Sequence, residues 1–210
     1  MTNPVIENIR RSLGRTDQTP LGPRPAIPES RPAESMDSEI ERFLGEIKLL
    51  SGVGQRLAAD DLAAALKSLI SENGVRKATL WRTPYLGHLC AEHSLRDLGV
   101  ELVSPTASKY DMALCDLGIT EADFLLPETG TLVLCSSAEK PRGVSLLPRI
   151  HLAITRPDML RADLHQVFAE VKEGHYLVFI TGPSRTADIE LTVTLGVHGP
   201  KKLYVWMMDE

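Results

Sequence analysis

Between Met36 and Val103 the chain switches repeatedly between two hydrophobic periods, and that alternation constrains the fold more than any other feature. Met36, Ile40, Phe43, Leu44, Ile47 and Leu50 keep the spacing of one helix face, and Ser38 with Glu41 has the form of a capping box. The stretch SGVG interrupts this pattern. Asp60 to Ser71 reads as a second helix with Leu62, Leu66, Leu69 and Ile70 inward, ended by Asn73-Gly74. Lys77 to Trp81 has the character of a buried strand. Gly87 to Leu98 returns to helix, and Val100 to Val103 to strand. Helices and strands in this rhythm predict an α/β fold built on a mainly parallel sheet covered on both faces, because parallel connections place helices against the sheet.

The second half is richer in strands. Phe124 to Leu126 and Leu132 to Cys135 flank the turn PETGT, and Ile150 to Ile154 is a further strand. Asp158 is expected to cap a helix reaching Lys172, with Leu160, Leu164, Val167, Phe168 and Val171 on one face. Tyr176 to Thr181 and Leu203 to Met208 read as strands. Asp188 to Leu195 fits two states: Ile189, Leu191, Val193 and Leu195 alternate as a strand does, yet TADIEL has the form of a helix start. No internal repeat is visible.

Residues 1–35 differ from the rest. They hold 6 of the 14 prolines, which fix φ and remove donors, so a flexible, extended link is expected there. Ahead of it Val5, Ile6, Ile9 and Leu13 share one face of a short helix that Gly14 stops. One short helix is unstable alone. It must dock on the body, on a second copy (giving a homodimer) or on a partner, or else fray. The remainder, 36–210, reads as a single domain.

Composition excludes several classes. A net charge of −5 disfavours nucleic acid, which demands a concentrated basic face. No apolar run has the length of a membrane span, and MTNPVIENIRRSLGR lacks a signal-peptide core, so a cytoplasmic protein is expected. Cys90, Cys115 and Cys135 form no CxxC pair and are one short of a four-thiolate cluster. They are expected to be three buried thiols, with no metal and no cofactor in this chain. His88 and His93, five apart, do not share a helix face as a metal pair would.

The candidate chemistry lies in three segments. GPSRT follows a strand: Gly182 admits a ligand to the backbone, Ser184 and Thr186 supply hydroxyls, and Arg185 supplies a planar cation for carboxylate or phosphate. A tight turn with a capping serine and a solvated arginine accounts for the same residues. In PETGT, Glu128 is a candidate base or nucleophile beside Thr129, Gly130 and Thr131, or else a turn residue. RGVSLLPRIH brings Arg142, Ser145, Arg149 and His151 together. His198, between glycines in GVHG, is placed for proton transfer or for a backbone carbonyl. No P-loop, GxGxxG, HExxH or GxSxG occurs. Strand ends gather at the carboxyl edge of a parallel sheet, so GPSRT, GVHGP and PETGT are expected to meet there.

These segments together resemble the lactate-utilization (LUD) domain family. The resemblance rests on Gly118-Ile119-Thr120, Glu128 to Thr131, Arg142 through Leu147-Pro148, His151, Gly182 through Glu190 with its Asp188, Gly196 to Pro200, and the amino-terminal IRRSLGR with its proline-rich link. It spans essentially the whole chain, so 36–210 would be one LUD domain. It implies a three-layer α/β/α sandwich related to the sugar-phosphate isomerase and coenzyme A transferase superfamily. It also implies a part in oxidising L-lactate to pyruvate beside two partner proteins that carry iron–sulfur clusters.

Fold kinship does not transfer chemistry, and three functions stay open. One is a non-redox subunit of a lactate-oxidising assembly, with Arg185 or Arg142 clamping the substrate carboxylate and His198 taking the hydroxyl proton. Gly182, Ser184, Thr186, His151, Asp188 and Glu190 would complete that binding site. Another is a stand-alone enzyme on a phosphorylated sugar or an acyl-coenzyme A, with Glu128 as nucleophile or base. The third is an assembly or regulatory protein with a vestigial pocket that docks through its amino-terminal helix.

Overall fold

Six strands build the centre of the domain, and the four inner ones are mostly buried. In the computed structural model, which describes residues 3–15, 22–23, 32, 34–171, 176–186 and 194–209, Cα packing divides the chain into two units, Met1–Ser30 and Arg31–Glu210. The first contains α1 (Pro4–Ser12), whose Asn3 side chain accepts from the Val5 amide and whose Val5, Ile6, Ile9 and Leu13 are exposed.

The second unit runs α2 (Met36–Leu49), β1 (Val53–Ala58), α3 (Leu62–Asn73), β2 (Lys77–Leu80), α4 (Pro84–His88), α5 (Ala91–Asp97), β3 (Glu101–Val103), α6 (Lys109–Ala113), β4 (Leu117–Glu121), β5 (Phe124–Leu126), β6 (Thr131–Ser136), α7 (Gly143–Leu146), β7 (Ile150–Thr155), α8 (Leu164–Glu170), β8 (Tyr176–Ile180), β9 (Arg185–Thr186), β10 (Thr194–Leu195) and β11 (Lys202–Asp209). The main sheet is parallel throughout, in the order β1-β11-β7-β4-β2-β3. β5, β6 and β8 form a separate antiparallel sheet, and β9 pairs with β10. Among the described residues no helix is long and apolar enough to cross a membrane.

Register assigns the faces. Gly54, Val205, Ala153 and Thr120 lie in one row across the sheet, and Leu203, His151, Gly118 and Thr79 in the next row on the same face. Residues in register point the same way. A methyl added to Gly54 would meet Leu44 and Ile47 of α2, and one added to Gly118 would overlap the Val144 carbonyl of α7. Thus α2 and α7 cover this face. Tyr204 points to the other, where its hydroxyl meets Asn73 of α3. With helices on both faces, the domain is the expected three-layer α/β/α sandwich. The small sheet contributes Leu125, Leu132 and Leu134 to the main core and turns Leu126 and Val133 toward Val167 of α8.

Several local expectations are corrected. The cap of α2 is Ser35, which accepts from the Ser38 amide, so Ser38 lies inside the helix. The span Gly87–Leu98 is two helices broken at Cys90, which takes a left-handed φ of 51°. Asp158 lies in a 3-10 turn rather than capping a helix. The chain then extends through Leu160, which bridges to Leu125, and Asp163 caps α8. Cys115 is buried and Cys135 half-buried, but Cys90 is exposed. Part of the ambiguous stretch, 188–193, lies outside the described residues; Thr194–Leu195 is strand.

Gly118 has no room for a side chain, since the obstacle is backbone. Gly118→Ala should therefore destabilise the domain by about 3 kcal/mol, the upper part of the usual overpacking range. That corresponds to a melting temperature lower by about 6–12 °C for a chain of this size. A thermal melt within 2 °C of the parent would contradict the seating of α7 on β4.

Candidate functional site

The motif segments gather at the amino edge of the parallel sheet, where β7 and β11 begin. The Ser184 amide donates to the Pro200 carbonyl at 2.9 Å, and the Gly196 amide to the Ser184 carbonyl at 2.9 Å. These two bonds clasp GPSRT to GVHGP. The Lys201 amide donates to the Arg149 carbonyl at 2.8 Å, joining both to the α7–β7 turn. The PETGT hairpin joins through a row of hydroxyls, Thr129 to Thr131 and Thr131 to Thr181, each 2.8 Å. So the three segments do converge. They lie at the amino rather than the carboxyl edge because β8, which leads into GPSRT, belongs to the antiparallel sheet.

Between GPSRT, GVHGP and the start of β7 is a cavity of about 230 Å³ with Ser145, His151, Gly182, Ser184 and His198 in its wall. His151 is 1% exposed. Its Nε2 lies 2.8 Å from Thr120 Oγ1, while Nδ1 has no partner among the described residues. Burial lowers its pKa from 6.5 to about 3, so the ring is neutral at ordinary pH. A neutral imidazole held at one nitrogen presents one donor or one acceptor at the other. Ser145 is buried, with its hydroxyl donating to the Arg142 carbonyl at 3.0 Å. His198 is exposed at the rim.

Most of the other described candidate residues do not line this cavity. Arg185 directs its guanidinium at the Leu50 carbonyl and the Ser51 hydroxyl (3.2 Å), at the carboxyl end of α2. There it meets the negative end of the helix dipole. Gly182, at φ 92°, and Gly130, at φ 57°, both press on the last turns of α2, where a side chain would strike Leu50 or Glu46. Arg142 lies over the ring of Tyr176, 5.4 Å from its centroid. Thr186 pairs with Thr194. Glu128 is exposed in its turn and does not line the cavity. Asp188 and Glu190 lie outside the described residues.

A second constellation, absent from the sequence reading, occupies the carboxyl edge. The Thr83 hydroxyl donates to Glu121, a carboxylate only 7% exposed, and Arg156 Nη1 lies 3.4 Å from the same group. The Arg156 guanidinium stacks 4.2 Å from the centre of the Tyr85 ring. Glu121 directly follows the quoted Gly118-Ile119-Thr120, so reading that run as a strand would have placed it at a strand end. Among the described residues no three histidine, cysteine or acidic side chains are grouped to hold a metal.

Two outcomes follow. Above pH 6.5 neither the folded nor the unfolded chain protonates His151; between 6.5 and about 3 only the unfolded chain does. Its contribution to stability is therefore complete at neutral pH and falls as pH drops, by up to about 1.4 kcal/mol per unit. His151→Gln should remove that slope from urea midpoints measured at pH 7, 6, 5 and 4; an unchanged slope would assign it to other groups. Burial also raises the Cys115 and Cys135 thiols to about 11, so they hold little thiolate. N-ethylmaleimide should modify one thiol rapidly in the native protein, and Cys90→Ser should abolish that phase.

The LUD domain model matches residues 40–208. Lactate utilization protein C of Halalkalibacterium halodurans is 32% identical over 224 residues, covering 97% of this chain and 96% of that protein. Lactate utilization protein C of Shouchella clausii is 29% identical over 227 residues, covering 98% and 96%. The crystal structure of a DUF162 family protein from Deinococcus radiodurans shares the fold, with a TM-score of 0.62 at 21% identity over 84% of this chain and 100% of that one. The match of the domain model from α2 to β11, with the near full-length similarity to these relatives, means that the chain belongs to the LUD domain family.

Proposed function

We propose that the protein serves lactate utilization in the cytoplasm as a non-redox subunit of a lactate-oxidising assembly. It works beside two iron–sulfur proteins and binds a small carboxylate substrate in the amino-edge cavity. Near full-length similarity to lactate utilization protein C supports the process. Three scattered cysteines cannot supply a four-thiolate cluster, which supports placing electron transfer in partners. The exposed apolar side chains of α1 support a subunit rather than a solitary enzyme.

The observation that carries the substrate class is the cavity itself. At about 230 Å³ it is below the usual range for drug-sized ligands, so it favours a molecule of a few heavy atoms over an acyl-coenzyme A. Hydroxyls and imidazoles form its polar wall, and among the described residues no arginine or lysine lines it. A carboxylate and its neighbouring hydroxyl would be met by neutral donors and acceptors, with His151 holding one position. His198, exposed at the rim, would take the hydroxyl proton as hydride or electrons leave the bound substrate for the iron–sulfur proteins of the assembly. Glu128 has no part in this arrangement, which weakens the reading as an isomerase or transferase.

The test pairs binding with turnover. L-lactate should bind the purified chain in ligand-observed NMR, and Ser184→Ala should weaken it about three- to tenfold, the loss of one hydrogen bond. Omitting the chain from a reconstituted mixture with the two iron–sulfur proteins should reduce lactate oxidation at least tenfold. Full oxidation without it would refute the subunit role, and no lactate binding would refute the cavity assignment.

A further inference from the structure

The main sheet has a topological switch point that the amino-edge cavity does not use. From β2 the chain moves outward to β3, then crosses back to place β4 on the other side of β2. The connections after β2 and β4 therefore part in opposite directions and leave a crevice outside the carboxyl ends of those strands. In open α/β sheets this is where ligands bind.

Beside it, at the carboxyl end of β2 and against α4 and α5, lies a cleft of about 640 Å³. That is well within the range for ligands of nucleotide size and far larger than the amino-edge cavity. Leu80, Trp81 and Leu86 give it an apolar base, and Arg82, Arg96 and Cys90 stand in its walls. Arg96 is paired with Glu92 at 2.6 Å, but the exposed Arg82 has no ion-pair or hydrogen-bond partner among the described residues. Two arginines against one glutamate leave the cleft locally cationic in a chain of net charge −5.

The lip of the cleft is held in place from behind. Thr83 lines it and donates to the buried Glu121, which Arg156 also engages, while Arg156 stacks on Tyr85 two residues along. Trp81 is fixed by its indole N–H donating to the Pro141 carbonyl at 3.0 Å. Residues 81–85 are therefore anchored at Trp81, Thr83 and Tyr85 and present Arg82 between the first two. This cluster has no structural need for an unpaired guanidinium at the mouth of a cavity, whereas an anion has a use for one.

We infer that the carboxyl-edge cleft is a second binding site, for an organic anion with an apolar or aromatic body, whose charged head pairs with Arg82. This site is separate from the lactate reading of the amino-edge cavity and does not depend on it. Cys90 in the cleft wall is a built-in reporter, since an occupant shields it from alkylation.

The experiment measures the N-ethylmaleimide rate at Cys90 in the full chain with millimolar AMP, 2-naphthoate, inorganic phosphate or L-lactate. AMP or 2-naphthoate should slow alkylation at least fivefold, and the two arms tell a phosphate head from a carboxylate head. Inorganic phosphate and L-lactate, which lack the apolar body, should have little effect. Arg82→Ala, at an exposed position, should keep the parental melting temperature and need about tenfold more ligand for the same protection. Ser184→Ala, at the opposite edge, should leave protection unchanged. The inference is overturned if neither organic anion protects Cys90, or if protection is indifferent to Arg82→Ala.

Discussion

A helix carbonyl packs directly against a bare α-carbon of the sheet, and much of the architecture depends on that contact. The Val144 carbonyl of α7 occupies the space where a side chain on Gly118 would stand. Because β4 is central, between β7 and β2, this contact seats α7 directly on the middle of the sheet. It places Ser145 beside His151, the register partner of Gly118. The amino-edge cavity exists because a helix of one turn can lie this low, and a larger residue at 118 would lift its wall away. Close packing transmits such a displacement to its neighbours.

The small antiparallel sheet supplies the opposite wall. It is fixed to α2 rather than to the main sheet by hydrogen bonds, through two glycines with positive φ and the Arg185 contact with Leu50. The hydroxyls of Thr129, Thr131 and Thr181 then join its hairpin to the strand that leads into the cavity. The motif residues thus divide by task. Gly130, Thr131 and Arg185 hold the wall, while Gly182, Ser184 and His198 face the cavity.

The sequence revealed the fold class because period and burial are local signals. The apolar faces of α2 and α3 and the runs at β2, β7 and β11 all carry them. It hid β4, whose Leu-Gly-Ile-Thr-Glu is interrupted by a glycine and two polar residues, although every position is buried. Those residues are buried for tertiary reasons: α7 covers the glycine, His151 satisfies the threonine, and Thr83 and Arg156 meet the glutamate. It also assigned the meeting point of the motif segments to the wrong edge of the sheet. That β8 joins β6 rather than the parallel sheet is a matter of long-range pairing, which periodicity does not encode, and with it went the choice between the two edges. The convergence of the motif segments was legible, whereas the cavity was not, because its floor depends on which strands neighbour one another.

The state of His151 limits what the amino-edge cavity can do. An imidazole whose charged form is suppressed down to about pH 3 is a poor proton carrier near neutrality, since its conjugate acid is far too costly to form. It acts instead by position. Thr120 holds one nitrogen, so the other offers a neutral hydrogen bond in a fixed direction. A buried group left without a partner costs roughly 1–3 kcal/mol, and a bound hydroxyl or carboxylate oxygen recovers part of that cost. His198, by contrast, lies exposed at the rim of the cavity. Burial alone separates the two histidines: one is enclosed and held by Thr120, and the other is open to solvent.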